Sequence, residues 1–226
     1  MGTRVLRAAA ALAATAALVG CGAIREATQA ADTVTAVGDL AESLGNSDTL
    51  TYTADYRLAD GSTTTAVQQP PDTAFIGRSG RFVSTPQRLV MCDAKNVCQS
   101  GVNRTGELDI TNAGLVPAAA GAGFVTAPIV LPLFAPSAIT EGTTVHKSTR
   151  TIAGQRSTCL KVDGKRRFTV CVTDAGLLAS FKGDLDHEQT ADIELTRYAT
   201  AVDPQAFTVP AGFQVVNVDQ LQIPKP

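Results

Sequence analysis

The chain carries 226 residues, 19 of them basic and 21 acidic, with two histidines, no tryptophan and 5% aromatics. A faint net acidity without a basic run argues against nucleic acid as a partner. So few aromatic rings leave little material for a platform that stacks sugars or bases.

Residues 1–20 read as a targeting segment. Arg4 and Arg7 precede an uncharged, mostly Ala/Leu stretch from Ala8 to Val19, the basic and apolar regions of a secretory signal peptide. Leu18-Val19-Gly20-Cys21 follows and resembles the lipobox of bacterial lipoproteins, a short apolar pattern with a small residue just before cysteine. The resemblance implies diacylglycerol transfer to Cys21 and cleavage before it, because a thioether needs a cysteine nucleophile at that place. The alternative is an uncleaved membrane-spanning helix. The uncharged span from Ala8 to Ile24 is 17 residues, against roughly 20 strongly apolar ones for a comfortable crossing. Two acyl chains give stable anchoring at about 0.8 kcal/mol per buried methylene. The expected location is the extracytoplasmic face of the cell membrane, held by lipid. The 205 residues after Cys21 can bury roughly 70% of their unfolded surface.

Ile24, Ala27, Ala31, Val34, Val37, Leu40, Ala41 and Leu44 recur every three or four residues. This is the stripe of an amphipathic helix over roughly 24–45, with Gly45-Asn46 as its natural stop. It begins almost at the lipidated cysteine, so residues 21–47 would hold the rest close to the membrane. Residues 48–226 are expected to form a single domain. That domain opens on a strand in which Leu50, Tyr52, Ala54, Tyr56 and Leu58 share one face, with Thr51, Thr53, Asp55 and Arg57 on the other. Ala59-Asp60-Gly61-Ser62 is a turn. Strand-like runs at 63–68, 73–77, 80–84, 87–92 and 97–100 follow, divided by Pro70-Pro71, Arg78-Ser79-Gly80 and Pro86. Short strands with close turns predict an antiparallel meander.

From Ile110 to Thr140 no residue is charged, and Pro117, Pro128, Pro132 and Pro136 cut the segment too finely for a straight spanning helix. Three readings stay open. The pieces are helices packed as core under the sheet, or they line or cap an apolar cavity, or they form a loop that dips into the membrane.

In the C-terminal half, Thr158–Asp163 and Arg167–Thr173 flank Gly164-Lys165-Arg166. Centred on Lys165, Leu160 faces Val170, Val162 faces Phe168 and Cys159 faces Cys171. One register thus gathers the apolar pairs on one side and the cysteines on the other, whereas a slip of one residue would flip every side chain. Cys92 and Cys98 are likewise symmetric about Lys95. The expected disulfides are Cys92–Cys98 and Cys159–Cys171. With Cys21 taken by the lipid, four of the five cysteines remain, and an even number in an exported chain favours disulfides; gaps of five and eleven residues do not suit zinc. Further strands are expected over 176–182 and 191–198, and Pro204 and Pro210 keep the closing segment out of central pairing.

Gly154-Gln155-Arg156-Ser157-Thr158-Cys159, the stretch from Val170 to Leu178 and the ending from Val202-Asp203-Pro204 to Pro210-Ala211-Gly212-Phe213 carry a family resemblance. Together with the order of elements, they resemble the LolA/LolB/LprG-like lipoprotein-carrier superfamily, and within it actinobacterial-type membrane lipoproteins. The resemblance implies an α+β fold: a curved antiparallel half-barrel of about 9–11 strands wrapped around short apolar helices, with an N-terminal amphipathic helix. It also implies an apolar interior that takes up acyl chains.

The expected function is non-catalytic binding or carriage of a lipid or other apolar ligand in a hydrophobic cavity. The expected ligand-binding residues are Leu50, Tyr52, Tyr56, Leu58, Phe75, Phe82, Phe124, Leu131 and Phe134. A regulatory or sensor module that binds a membrane protein partner is the alternative. Neither a cofactor nor a metal is expected. Only His146, at an expected strand edge in Thr144-Val145-His146-Lys147, and His187, in an expected acidic loop, occur, without a G-x-S-x-G elbow. Asp184, Asp186, His187 and Glu188 lack the EF-hand pattern.

Overall fold

The computed structural model describes residues 33–103, 125–127, 130–133, 140, 142–185 and 190–218. Residues 33–45 are helical, and Val37, Leu40 and Leu44 are buried while Val34 is 50% exposed. Val37, Leu40 and Leu44 thus follow the expected apolar stripe, whereas Val34, placed in it as well, does not; residues 24–32 of that prediction lie outside the described residues. The α-helix stops at Gly45, and a 3-10 turn, Asn46–Thr49, leads into the sheet.

β1 (Tyr52–Leu58), β2 (Thr63–Gln69), β3 (Asp72–Gly77), β4 (Gly80–Ser84), β5 (Arg88–Asp93) and β6 (Val97–Val102) form a continuous antiparallel meander. A second meander comprises β7 (Thr144–Ile152), β8 (Gln155–Asp163), β9 (Arg167–Thr173), β10 (Leu178–Asp184) and β11 (Thr190–Ala199). The two join where β1 pairs with β11. Finally β12 (Gln214–Asn217) adds in parallel to β6. The result is one sheet of 12 strands in the order β12-β6-β5-β4-β3-β2-β1-β11-β10-β9-β8-β7.

This large, open, mostly antiparallel sheet is consistent with the expected half-barrel, but its strand number exceeds the expected nine to eleven. Two elements account for the difference. β7 extends the strand edge expected at Thr144–Lys147 as far as Ile152, and His146 to Thr151 are all exposed, so no apolar alternation marks its length. β12 follows the proline-bounded segment and pairs in parallel at the sheet's edge, where a short non-local contact leaves no pattern in the sequence.

The predicted hairpin register holds: Leu160 pairs Val170, Val162 pairs Phe168 and Cys159 pairs Cys171. Both expected disulfides are present, Cys92–Cys98 and Cys159–Cys171.

The main core lies on the helix-bearing face. Leu58, Ile193, Phe181, Val170 and Leu160 occupy one cross-strand row, and all five are buried. The Phe168 and Phe181 rings stack with centroids 5.7 Å apart. Val37, Leu40 and Leu44 of the helix, with Val125, Val130 and Leu133 from the uncharged middle, belong to the same cluster. Gly176, at φ +91°, lets the β9–β10 turn meet the helix, because a Cβ there would stand 2.5 Å from the Ser43 carbonyl oxygen. The other face of β8–β10 is closed too: Ser157, Cys159, Cys171 and Thr173 are buried. The sheet curls at this end, bringing β7 beside β11, and Arg150 reaches Glu194 at 3.8 Å.

A second cluster covers the opposite face of β2–β6. Val67, Ala74, Val83, Val90 and the Cys92–Cys98 bridge pack under Ala206, with Val202, Phe207, Val209 and Phe213 around it. Asp203 caps the short 3-10 turn Pro204–Phe207 through the Gln205 N–H, and Arg81 donates to the Thr208 carbonyl at 2.8 Å. The proline-bounded segment therefore lies across the sheet rather than within it.

Candidate functional site

Cross-strand partners share a face of the sheet. One row starts in the core at Ala54 on β1 and runs through Ala66, Phe75, Phe82 and Met91 to Gln99. Exposure rises along it: Ala54 is 0% and Ala66 1% exposed, while Met91 reaches 47%. Phe75 and Phe82 are half-buried and stacked, with ring centroids 6.3 Å apart. Leu89, two residues before Met91 on the same strand, shares this face and is also half-buried. Val216 of β12 pairs Gln99 and is 45% exposed. Apolar residues thus continue outward from the core on β3–β5, whereas toward β8 the same face is fully covered.

The expected ligand-binding residues divide into three groups. Tyr52, Tyr56 and Leu58 lie in the core, which also holds the helical Val37, Leu40 and Leu44, and Leu50 and Leu131 pack against it. Phe75 and Phe82 face outward into the half-exposed row, although Phe75 also touches the core. Phe124 and Phe134 lie outside the described residues. Leu89, Met91 and Val216 escape sequence reading as candidates, because alternation marks a face without saying whether anything covers it.

The tyrosines are structural in this arrangement. Tyr56 Oη donates to the Leu178 carbonyl at 2.9 Å, and burial pushes its hydroxyl well above the usual tyrosine range. Burial, reinforced by Asp48 and Tyr198, raises Tyr52 as well. Gln68 Nε2 donates to the Ser47 and Leu50 carbonyls at 2.7 and 2.9 Å, fixing the entry into β1. The face from Phe75 to Met91 offers apolar contact rather than acid–base chemistry.

No protein-family model matches the chain. No curated protein matches it either. Among solved structures, it is similar to an uncharacterized conserved protein from Thermus thermophilus, with a TM-score of 0.45 and 10% identity over 80% of this chain and 98% of that one. It is also similar to MucB, with a TM-score of 0.47 and 14% identity over 82% of this chain and 66% of MucB. MucB in complex with MucA(peri) gives a TM-score of 0.46 and 14% identity over 80% of this chain and 61% of that one. In that comparison the chain spans less than two thirds of MucB.

His146 is exposed on β7, and His187 lies outside the described residues. Among the described residues no group of three or more His, Cys, Asp or Glu side chains could hold a metal ion, and no helix is long and apolar enough to cross a membrane.

On the face away from the helix, Asp55 accepts from Arg197 Nε at 2.6 Å and Thr65 Oγ1 at 2.7 Å. Burial pushes this carboxyl up, but the two hydrogen bonds and the Arg197 charge outweigh it and hold Asp55 below the usual range. This cluster links β1, β2 and β11, and nothing about it points to a ligand.

Proposed function

We propose that the chain is an envelope lipoprotein, anchored through lipid on Cys21 at the extracytoplasmic face of the cell membrane. In this reading it binds a lipid or another apolar ligand without catalysis. The observation that supports this is the half-exposed row Phe75–Phe82–Met91, flanked by Leu89, which extends the buried core across β3–β5. Contiguous exposed apolar surface on a folded protein marks an interaction site more often than scattered single residues do. Acyl chains need only apolar contact, at about 0.8 kcal/mol per buried methylene, and this face supplies contact of that kind.

The central tyrosines are already covered by the chain itself. Ligand contact therefore falls on the β3–β5 part of the face rather than evenly on every expected residue. A second reading, docking of a membrane protein partner on the same face, draws on Val216, which pairs Gln99 at the adjoining edge and is 45% exposed, and which would widen the apolar surface for a protein.

Native mass spectrometry of the full chain, released from its membrane and incubated with a lipid extract, tests the first reading. The expected result is a bound species in the mass range of acylated molecules. If no lipid adduct forms and one protein co-purifies in fixed stoichiometry, the second reading replaces it. A Cys21→Ser chain recovered in the same membrane fraction as the unsubstituted one would sink the anchoring proposal.

A further inference from the structure

β7 ends the sheet on one side, and six consecutive residues, His146–Thr151, are exposed even though the curl brings part of the strand beside β11. It pairs with β8 without a bulge, from Thr144–Asp163 to Ile152–Gln155. The two-residue turn between them has Ala153 and Gly154 at φ 49° and 76°, the left-handed pair of a tight hairpin whose closing residues are hydrogen-bonded. Hydrogen-bonded and open pairs alternate along an antiparallel ladder. Counting back from Ile152, the backbone groups of Thr151, Thr149, Lys147 and Val145 point outward, away from β8. Such an edge is a template for another strand.

Its charge states what kind of strand. Residues 144–185 contain eight basic and three acidic side chains, although the chain as a whole carries a net charge of −2. Some of these cations are engaged: Lys161 with Asp163 at 2.7 Å and Lys182 with Asp192 at 2.6 Å. Lys147 has no acidic partner among the described residues. Arg150 reaches Glu194 only at 3.8 Å, and Glu194 is already held by Arg57 at 3.0 Å. One exposed cation thus lies on each side of the open edge.

We propose that the β7 edge binds an extended, acidic polypeptide segment by strand addition. The partner's backbone pairs with the outward N–H and C=O groups of Lys147, Thr149 and Thr151, and its carboxylates sit beside Lys147 and Arg150. An anionic lipid surface offers no alternating donors and acceptors to satisfy that backbone. Pairing with a second copy would line up two sets of these cations on one ribbon. The site is separate from the Phe75–Met91 face and stands or falls independently of it.

The probe is a fluorescein-labelled peptide of alternating Glu and Thr, compared with Gln/Thr and Lys/Thr versions, titrated with the full chain and read by fluorescence anisotropy. The expected result is that the Glu/Thr peptide binds at least about tenfold more tightly than the Gln/Thr peptide and weakens as salt rises. Thr149→Pro removes one outward donor while leaving the β8 ladder intact, since proline is tolerated on an open edge; it should abolish binding. The double variant K147E/R150E should switch the preference to the Lys/Thr peptide. A Thr149→Pro chain whose β7–β8 amides stay protected from hydrogen exchange, yet which binds as before, overturns the proposal. Equal binding of the Glu/Thr and Gln/Thr peptides overturns it as well. So does attachment to phosphatidylglycerol vesicles without peptide binding, or a dimer in sedimentation that Thr149→Pro dissolves.

Discussion

Tyr56 and Leu178 lie 122 residues apart in sequence, yet the Tyr56 hydroxyl donates to the Leu178 carbonyl at 2.9 Å inside the core. The bond ties β1 of the first meander to β10 of the second, close to where the two halves join through β1 and β11. Removing one partner from a buried hydrogen bond costs about 1–3 kcal/mol. Tyr56→Phe should therefore lower stability by that amount, with about 2–4 °C of Tm for each kcal/mol in a chain of this size. A thermal melt checks it. Burial holds this hydroxyl's pKa well above the ordinary 10.0, so the folded state keeps the proton longer than the unfolded one. The associated stability is fully present below pH 10 and is lost as pH rises beyond it. The alkaline decline should be shallower in Tyr56→Phe.

Cys159–Cys171 and Cys92–Cys98 close short loops, with sequence separations of 12 and 6. Chain-entropy arithmetic gives about 3 and 2 kcal/mol respectively. Both pairs are buried, Cys159 and Cys171 at 1% and 0% exposure and Cys92 and Cys98 at 7% and 0%, so each deletion also removes packing and the longer loop makes the difference. The pair Cys159→Ala/Cys171→Ala should therefore cost more than Cys92→Ala/Cys98→Ala. Urea midpoints of the two double variants, at equal m-value, decide it.

Asp55 joins three strands through Arg197 and Thr65, and its depressed pKa gives a pH signature. A depressed folded-state value means the carboxylate stabilises the fold above the ordinary aspartate value of 3.8. That contribution disappears as pH falls through the lower folded value. Asp55→Asn should be less stable than the unsubstituted chain at pH 7, and the gap should close below pH 4. Melts at both pH values check this, and a gap that stays constant would show that the charge contributes nothing.

Met91 is 47% exposed, opposite Phe82 on the half-buried row. Substitution at an exposed site away from special features usually changes stability by no more than about 0.5 kcal/mol. Met91→Glu should thus melt like the unsubstituted chain, yet lower uptake of an acyl ligand about tenfold, since it sets a charge in the contact surface. Unchanged uptake would move the ligand elsewhere, and a large drop in Tm would show Met91 to be core.

Much of the fold is legible before any coordinates. Leu50 to Leu58 alternate so regularly that the strand and its buried face follow at once, and the 159/171 and 160/170 pairs fix both a register and a disulfide. β7 is hard to read because its residues are polar on both faces; strands advertise themselves through burial, and this one has little. The site is only half legible: Tyr52 and Phe82 both sit in strand-like runs, yet one is 8% exposed and the other half-buried in an outward-running row.

The amino-acid order alone determined the strand faces, the hairpin registers and the cysteine pairing, because each depends on neighbours a few residues away and on a period of two. Tertiary structure alone decided that β1 meets β11, that the helix joins the core holding Tyr52–Leu58, and that the Phe75–Met91 row stays half-exposed and His146–Thr151 of β7 exposed. Those outcomes depend on which surfaces, far apart in the chain, find each other and exclude water, and no local pattern records that choice.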